Sequence, residues 1–251
     1  ATHHARYDLL VSELDARDDY EVLHLRERDE LTREAARQVA RLTSQSGNYL
    51  PLCKIVDEKA IINSVVALNA TGGSTNHTLH IPAFAQAAGI QLTWQDMADI
   101  SAVTPTLAKV YPNGQADVNH FHACGGVPFM VRTLLDAGLL HEDVYTVMGQ
   151  GLKQYTQEPF LEDGRLVWRE GPQGSLDEAI LRPAERPFSP EGGLRVLEGN
   201  LGRGVTKISA VAPEHRVVEA PARQITRCAA ASSLGMSSKN VDRVAAMPAS
   251  S

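Results

Sequence analysis

The stretch ALNATGGSTNHTLHIPAFAQAAGI, residues Ala67–Ile90, joins two apolar segments through a pair of glycines. The segment that leads into it, Asp57–Asn69, predicts a helix whose apolar side chains nearly encircle it. A helix that is apolar on every side is typical of a protein interior. We therefore expect this helix to be buried and to stop at Thr71–Gly73, where the glycines break the pattern.

A second helix is predicted directly after the glycine pair. Ser74 is a plausible N-cap, and the helix should run to about Ala88, with Gly89 just past its end. Pro82 lies inside the segment and should kink the helix or mark a break in it, because proline removes a helical hydrogen bond.

The glycine pair and its polar neighbours, Thr71–His77, are also a candidate binding site. Glycines let a backbone approach a ligand closely, and the amides of a helix N-terminus attract anions. Hydroxyl and amide groups at Ser74, Thr75 and Asn76 could donate hydrogen bonds to the same ligand. Taken alone, the motif fits equally well with a helix that ends at glycine and is followed by a serine-capped one.

Other segments give shorter signals. Leu31, Ala35, Val39 and Leu42 share one helix face, and Thr93 with Asp96 predicts a capped helix through Ile100. The pattern also predicts a loop at Ser44–Asn48, turns over Tyr111–Asp117, a helix from Pro128 to Gly138, a helix over Asp143–Tyr155, a short strand at Arg165–Trp168, and strands at Leu194–Leu197 and Val205–Val211.

These elements predict an α/β protein. A helix-rich α/β N-terminal domain, partial in this chain, is expected over residues 28–155, followed by a Pro- and Gly-rich linker at 156–193 and the opening strands of a β-rich C-terminal domain at 194–222. Residues 1–27 are expected to be poorly ordered, and 223–251 to form a disordered tail. So short a second unit cannot close a sheet and core by itself.

Composition excludes several classes of function. The chain has 251 residues, a formal net charge of -6 and 43% hydrophobic residues, which is ordinary for a globular protein. An acidic chain without a basic patch predicts no nucleic-acid partner. Apolar runs are too short to span a membrane, and the N-terminus is unlike a signal peptide, so we expect a cytoplasmic protein.

The cysteines do not form a local metal motif. Cys53, Cys124 and Cys228 are far apart and make no CxxC pair, which predicts free thiols. His120, His122 and Cys124 alternate within a few residues, but they would need one strand face and a fourth ligand is not evident. We expect this segment to line a pocket and assign no metal ligand.

Four segments resemble the dihydroxy-acid dehydratase and 6-phosphogluconate dehydratase family. The first is the Ala67–Ile90 stretch. The others are YPNGQADVNHF (Tyr111–Phe121), GLKQYTQEPFLEDGRLVWREGP (Gly151–Pro172) and FSPEGGLRVLEGNLGRGVTKISAVAPEHRVVEAPA (Phe188–Ala222). The last three resemble the phosphogluconate branch. The resemblance runs from about Arg28 to Ala222.

The resemblance implies a reaction and its participants. A hydro-lyase of this family converts 6-phospho-D-gluconate, a phosphorylated sugar acid, to 2-dehydro-3-deoxy-6-phosphogluconate in the Entner–Doudoroff pathway. A 4Fe-4S iron–sulfur cluster acts as a Lewis acid on the departing hydroxyl while a base takes the C2 proton. The family resemblance also implies a homodimer.

The chain departs from the family pattern where the cluster is held. The family's cysteine motifs and its C-terminal serine segment are missing, so no catalytic residue and no cluster ligand is assigned. The similarity fades before Arg28 and after Ala222, which predicts a fragment with frameshifted ends, checked by the flanking DNA sequence. The candidate substrate-binding residues are Gly72, Gly73, Ser74, Thr75, Asn76, His77, His120 and Asn200, with Gly125 and Gly126 as weaker candidates.

Three functions stay open on sequence grounds. The first is 6-phosphogluconate dehydration, and the second is a catalytically inactive remnant that keeps the core without the cluster. The third is dihydroxy-acid dehydration in branched-chain amino-acid synthesis. The sequence of Gln154–Phe160 argues against this third function. We expect the isolated chain to be colourless and inactive, and to fold poorly because its apolar surface lacks a cover.

Overall fold

The fold is a helical body that carries three short β-hairpins. The computed structural model describes residues 23–200, 202–219 and 221, with side chains from residue 28 onward. The chain forms two compact units, Ala1–Ala210 and Val211–Ser251. The helices of the first are α1 (Leu23–Arg41), α2 (Leu52–Ile55), α3 (Glu58–Thr71), α4 (His77–Ala87), α5 (Trp94–Val103), α6 (Val118–Ala123) and α7 (Gly126–Asp136).

The strands pair only with their sequence neighbours. Each of the three sheets is a two-stranded antiparallel hairpin, so the register is set by the turn between its strands. The strands are β1 (Tyr145–Thr146) and β2 (Gly149–Gln150), β3 (Gln157–Glu162) and β4 (Arg165–Glu170), and β5 (Arg195–Gly199) and β6 (Gly202–Thr206). Single 3-10 turns follow at Lys153–Thr156 and Ile208–Ala210.

Helix α3 is the centre of the body. Its N-cap is Asp57, whose carboxylate accepts a hydrogen bond from the amide of Ala60 at 2.8 Å. Val66 and Ala70 pack into one apolar cluster with Leu107, Phe129 and others, while Ile61, Val65 and Leu68 pack into a second with Ile81, Met97 and Leu194. Because α3 contributes to both clusters, the prediction that it is a buried helix is confirmed.

The interval 156–193 is packed against this body over much of its length. It contains the β3–β4 hairpin, and Leu181 is fully buried in the first apolar cluster. Backbone hydrogen bonds join it to the extended segment after α5, with Arg182 donating to Leu107 at 2.8 Å and Lys109 donating to Ile180 at 2.8 Å. The interval 156–193 is therefore a packed part of the body and not an extended linker. The domain boundaries themselves stay a prediction.

Several local predictions are confirmed. The helix that contains Leu31, Ala35 and Val39, the helix over Asp57–Asn69 and the Thr93 capping box are present. The strands predicted at Leu194–Leu197 and Val205–Val211 overlap β5 and β6. A helix-rich region followed by strands is also as predicted. The predictions for residues 1–22 and 222–251 lie outside the described residues.

Three local predictions are wrong. Asp143–Tyr155 is the β1–β2 hairpin and a 3-10 turn, because Gly149 and Gly151 adopt positive φ values of 118° and 97° that a helix cannot contain. Ser74 does not cap α4, which begins at His77. Strand β6 ends at Thr206, and Ile208–Ala210 is a 3-10 turn. Pro82 lies within α4 without ending it.

The second unit is described only in its first residues. Pro213–His215 forms a 3-10 turn, and the Arg216 guanidinium donates to the carbonyl of Val211 at 3.2 Å. As for the helices in the described part of the chain, none combines the length and the apolar character that a bilayer crossing requires.

Candidate anion-binding pocket

The glycine pair after α3 forms a tight left-handed turn. Gly72 ends the helix with φ 55° and ψ 45°, a conformation that favours glycine. Its backbone amide donates to the carbonyl of Asn69 at 3.1 Å, and the backbone amide of Gly73 donates to the carbonyl of Leu68 at 2.9 Å. These bonds satisfy the last carbonyls of the helix, and they turn the chain from α3 toward Ser74 and Thr75.

There is no space for a side chain at this turn. A Cβ atom on Gly72 would lie 2.9 Å from the Ser209 hydroxyl and would overlap the Asn113 amide. A Cβ atom on Gly193 would overlap the backbone of Gly72 and lie 3.0 Å from the same hydroxyl. Three segments that are distant in sequence therefore meet at Gly72 in direct contact.

Polar contacts hold these segments together. The Asn113 side-chain amide donates to the carbonyl of Gly72 at 3.0 Å. The Ser209 hydroxyl lies 3.0 Å from Asn113 Oδ1 and 3.1 Å from the carbonyl of Gly193, and the Ser209 amide donates to the same carbonyl at 3.2 Å. We refer to Asn113, Gly193 and Ser209 as the latch, because they tie the chain after β6 to the end of α3.

A cavity of about 600 Å³ opens beside the turn. This is a common size for a small-molecule site. The turn at Gly72 forms one wall of the cavity. The segment before α6 and α6 itself form a second wall, and the chain after β6 forms a third. The lining residues are Thr71, Gly72, Gly73, Ser74, Thr75, Ala108, Val110, Tyr111, Pro112, Val118, Phe121 and Lys207.

Lys207 is the charged member of this lining. Its side chain is half-buried, and burial lowers the pKa of its ammonium group because a charge is less favourable away from water. Among the described residues no carboxylate forms an ion pair with it. The cavity lining thus includes a lysine and two exposed residues with hydroxyl groups, Ser74 and Thr75.

The structure brings only some of the predicted site residues together. Gly72, Gly73, Ser74 and Thr75 line the cavity, whereas Asn76 and His77 do not. Asn76 donates its amide to the Ser74 hydroxyl at 3.2 Å, and the His77 ring lies 3.3 Å from the carbonyl of Ser74. Both residues therefore contact Ser74 within the turn.

His120 and Asn200 also lie off the cavity lining. His120 is on α6, where its Nδ1 lies 2.9 Å from the carboxylate of Asp117, while its neighbours Val118 and Phe121 face the cavity. Asn200 is exposed at the turn of the β5–β6 hairpin. Gly125 and Gly126 connect α6 to α7 with φ values of 129° and 51°. Their roles in binding stay predictions.

Lys207 was missed by the sequence analysis. It stands alone, far along the chain from the glycine pair, and no spacing rule relates the two. Only the latch places them at one cavity. Its sequence context was a predicted strand, Val205–Val211, within a segment that resembles the family.

The cysteines do not assemble into a ligand set in the described part. Cys124 is fully buried, its thiol donates to the carbonyl of Phe121 at 3.3 Å, and burial, with a smaller effect of the Asp177 charge, raises its pKa to about 12. Cys53 is exposed on α2. The helix α6 also differs from the strand face that His120, His122 and Cys124 would need, and no cluster of three metal-binding side chains occurs among residues 28–219 that the structure describes.

Two family models match the chain. The model of the dihydroxy-acid/6-phosphogluconate dehydratase N-terminal region matches residues 22–155, and the C-terminal model of the same family matches residues 179–244. The chain belongs to the dihydroxy-acid/6-phosphogluconate dehydratase family. Within this chain, the turn at Gly72 lies in the first matched region and Lys207 in the second, so residues of both matched regions line the cavity.

Individual relatives agree with this assignment. The chain is 76% identical over 196 residues to phosphogluconate dehydratase of Pseudomonas aeruginosa, and 58% identical over 195 residues to that of Escherichia coli K12. Each alignment covers 78% of this chain and 32% of the relative. A dihydroxy-acid dehydratase of Sulfurisphaera tokodaii is 37% identical over 169 residues, 67% of this chain and 28% of its own. The chain therefore spans about a third of the length of these relatives.

Proposed function

We propose that this chain is part of a hydro-lyase that converts 6-phospho-D-gluconate to 2-dehydro-3-deoxy-6-phosphogluconate, a step of the Entner–Doudoroff pathway. The observation that carries the proposal is the 76% identity over 196 residues to a protein named phosphogluconate dehydratase. The resemblance also supports a cytoplasmic homodimer for the whole protein, with neither nucleic acid nor membrane as a partner.

The cavity beside Gly72 supports this choice of substrate. A phosphorylated sugar acid carries two anionic groups and several hydroxyls, and such a ligand suits a cavity with one cation and exposed hydroxyl groups. The Lys207 ammonium can bind an anionic end, and Ser74 and Thr75 can donate to its oxygens. These residues would bind and orient the substrate, and no proton-transfer role is assigned to them.

The iron–sulfur cluster implied by the family does not fit the described residues. A cluster is held by several converging thiolates, whereas the Cys124 thiol is fully buried and donates to the carbonyl of Phe121. The exposed Cys53 is a single thiol on a short helix. We therefore derive no step of the reaction through this group.

Two other functions compete with the proposal. A catalytically inactive remnant is supported by the state of Cys124, a buried thiol with a raised pKa. Dihydroxy-acid dehydration is supported by the relative from Sulfurisphaera tokodaii, at 37% identity. All three functions share the same cavity, so substrate preference and turnover have to separate them.

The deciding experiment uses the purified 251-residue chain, reconstituted anaerobically with iron and sulfide. We expect it to bind 6-phosphogluconate in calorimetry and to bind 2,3-dihydroxy-3-methylbutanoate more weakly. Formation of a 2-keto acid from 6-phosphogluconate would exclude the remnant. A preference for 2,3-dihydroxy-3-methylbutanoate, or binding of neither compound, would contradict the proposal.

A further inference from the structure

We propose that Lys207 is the residue that binds an oxyanion of the substrate, a carboxylate or a phosphate, and that the latch holds it at the cavity. This inference rests on the proposed function and deepens it, because it assigns the contact that selects an anionic sugar derivative. It links a residue of the β5–β6 hairpin region to the turn at the end of α3.

The first argument is the charge of the cavity. Its lining consists mainly of apolar and small residues, and Lys207 is the cation among them. Within the described part of the chain this ammonium has no carboxylate partner, although it is half-buried. Burial disfavours the charged amine, and the lowered pKa of Lys207 reflects this cost. An anion in the cavity would offset it.

The second argument is the fixed position of the backbone that carries the lysine. Two residues after it, Ser209 is held by hydrogen bonds to Asn113 and Gly193. Gly193 in turn lies against Gly72, where a single added carbon would overlap the backbone. The chain on one side of Lys207 is therefore anchored to the same turn that carries Ser74 and Thr75. A flexible surface lysine would lack such an anchor.

The third argument is the surroundings that an oxyanion would meet. Ser74 and Thr75 place exposed hydroxyl groups at the cavity, while Val118 and Phe121 form an apolar wall. Hydrogen bonds to a charged group are stronger where apolar walls reduce the contact with water. A lysine whose apolar stem merely covers the surface while its amine stays in water is the alternative explanation.

The test is calorimetry with three probes and matched variants of the full chain. The probes are 6-phosphogluconate, D-gluconate, which has only the carboxylate, and glucitol 6-phosphate, which has only the phosphate. We expect Lys207→Ala to weaken the binding of 6-phosphogluconate by about tenfold or more, the loss typical of a hydrogen bond to a charged group. Lys54→Ala removes an exposed lysine from α2 and should leave the affinity unchanged.

The single-anion probes identify which end Lys207 binds. The probe whose affinity falls in Lys207→Ala carries the group in contact with the ammonium, and the other probe should be unaffected. Circular dichroism and thermal unfolding of both variants show whether the fold is retained. Unchanged affinity of folded Lys207→Ala for all three probes would overturn the inference.

A second measurement reports on the lysine itself. Reductive methylation with ¹³C-formaldehyde keeps the charge and gives each lysine an NMR signal, and the Lys207 signal is the one absent from Lys207→Arg. We expect this signal to titrate at a lower pH than the signals of the exposed lysines. We also expect its chemical shift to change when 6-phosphogluconate is added. A Lys207 chemical shift that stays unchanged on adding 6-phosphogluconate, while the shifts of other lysines change, would overturn the inference.

The outcomes separate this inference from the proposed function. If 6-phosphogluconate binds with the same affinity to Lys207→Ala, the function stands and the role of Lys207 is wrong. If the single-anion probes bind through Lys207 without preference for 6-phosphogluconate, the role stands and the proposed substrate is wrong. If the unmodified chain binds none of the three probes, both are wrong.

Discussion

A single missing carbon atom at position 72 allows three chain segments to meet. Gly72 has a positive φ, and its hydrogen faces the Asn113 amide and the Ser209 hydroxyl. Any larger residue has to adopt an unfavourable backbone conformation and also displace the latch. The two costs have different origins and can be measured separately.

We predict that Gly72→Ala destabilises the chain by roughly 3 kcal/mol, the sum of a backbone cost and an overpacking cost of about 1–2 kcal/mol each. Gly89→Ala is the matched control, because Gly89 has φ 78° but open space around it. It should show the backbone cost alone. Urea unfolding of both variants gives the difference, and equal losses would contradict the close contact at Gly72.

The buried thiol of Cys124 makes the stability of the chain depend on pH. Burial raises the pKa of Cys124 in the folded state to about 12, while an unfolded thiol titrates at about 8.5. The folded state therefore holds its proton where the unfolded state loses it. This contribution to stability is complete below the unfolded pKa and is lost as the pH rises toward the folded pKa.

We predict that the free energy of unfolding falls by up to about 1.4 kcal/mol per pH unit above pH 9 from this thiol alone. Urea unfolding at intervals from pH 8 to 10.5 measures the slope. Cys124→Ala, which lacks the titrating group, is the control and should show a shallower slope despite its lower stability. Parallel slopes in the two proteins would show that Cys124 is not buried as described.

At the scale of elements, α5 depends on its first turn. The Thr93 hydroxyl accepts a hydrogen bond from the Asp96 amide at 3.1 Å, and the Asp96 carboxylate accepts one from the Thr93 amide at 2.8 Å. The Thr93 hydroxyl and amide together hold the pKa of Asp96 below its ordinary value. α5 contributes Met97 to the second apolar cluster and contacts β5, so its start is relevant to the hairpin that leads to Lys207.

We predict that Thr93→Ala costs about 1 kcal/mol of stability at neutral pH and raises the pKa of Asp96 toward its ordinary value. Because a lowered carboxylate pKa stabilises only above the unfolded pKa, the loss should shrink as the pH falls through the folded pKa. Urea unfolding and NMR titration of the Asp96 carboxyl measure the two effects.

Thr32→Ala is the control for this prediction. Thr32 is an exposed threonine within α1, and its hydroxyl bonds only to the Arg28 carbonyl one turn earlier in the same helix. Removing that bond should change stability by a few tenths of a kcal/mol at most. A Thr93→Ala loss no larger than this would show that the capping box is not formed.

The sequence predicts elements where local chemistry decides them. Asp57 and Thr93 sit at the helix starts that their side chains cap, and the apolar period of α3 matched its burial. The sequence was misleading over Asp143–Tyr155, where glycines with positive φ impose a hairpin. It was silent on Leu181, whose burial depends on backbone pairing with the segment after α5.

The site divides in the same way. The turn at Gly72 could be predicted, because glycine pairs and hydroxyl residues are local signals. Lys207 could not, because its approach depends on contacts of Asn113 and Gly193 with Ser209. Nor does any period in the sequence indicate that Asn76 and His77 lie off the cavity that Ser74 and Thr75 line.

At the scale of the whole molecule, α4 leaves large apolar side chains in water. Leu79 is 67% exposed and Phe84 is 60% exposed, although the same helix buries Ile81 and Ala85. Exposed apolar residues on a regular helix promote association, because burying them against another molecule removes apolar surface from contact with water.

We predict that the chain associates at high concentration and that the double substitution Leu79→Ser and Phe84→Ser reduces this association. Sedimentation velocity over a range of concentrations measures it. The stability of the variant should change little, since both side chains are exposed. Gln86→Ser on the same helix is the control and should behave as the unmodified chain. Association that persists unchanged in the double variant would place its origin on another surface.

The contact between Gly72 and Gly193 has an evolutionary consequence. Two positions more than a hundred residues apart in the chain lie in direct contact, so Gly193 cannot accept even an alanine unless the backbone at Gly72 withdraws, and Gly72 cannot accept one unless Asn113 and Ser209 withdraw. Mutational tolerance at both positions is thereby limited by the same contact region. Drift would have to pass through a poorly folded intermediate, which makes this pair a joint constraint on descendants of the sequence.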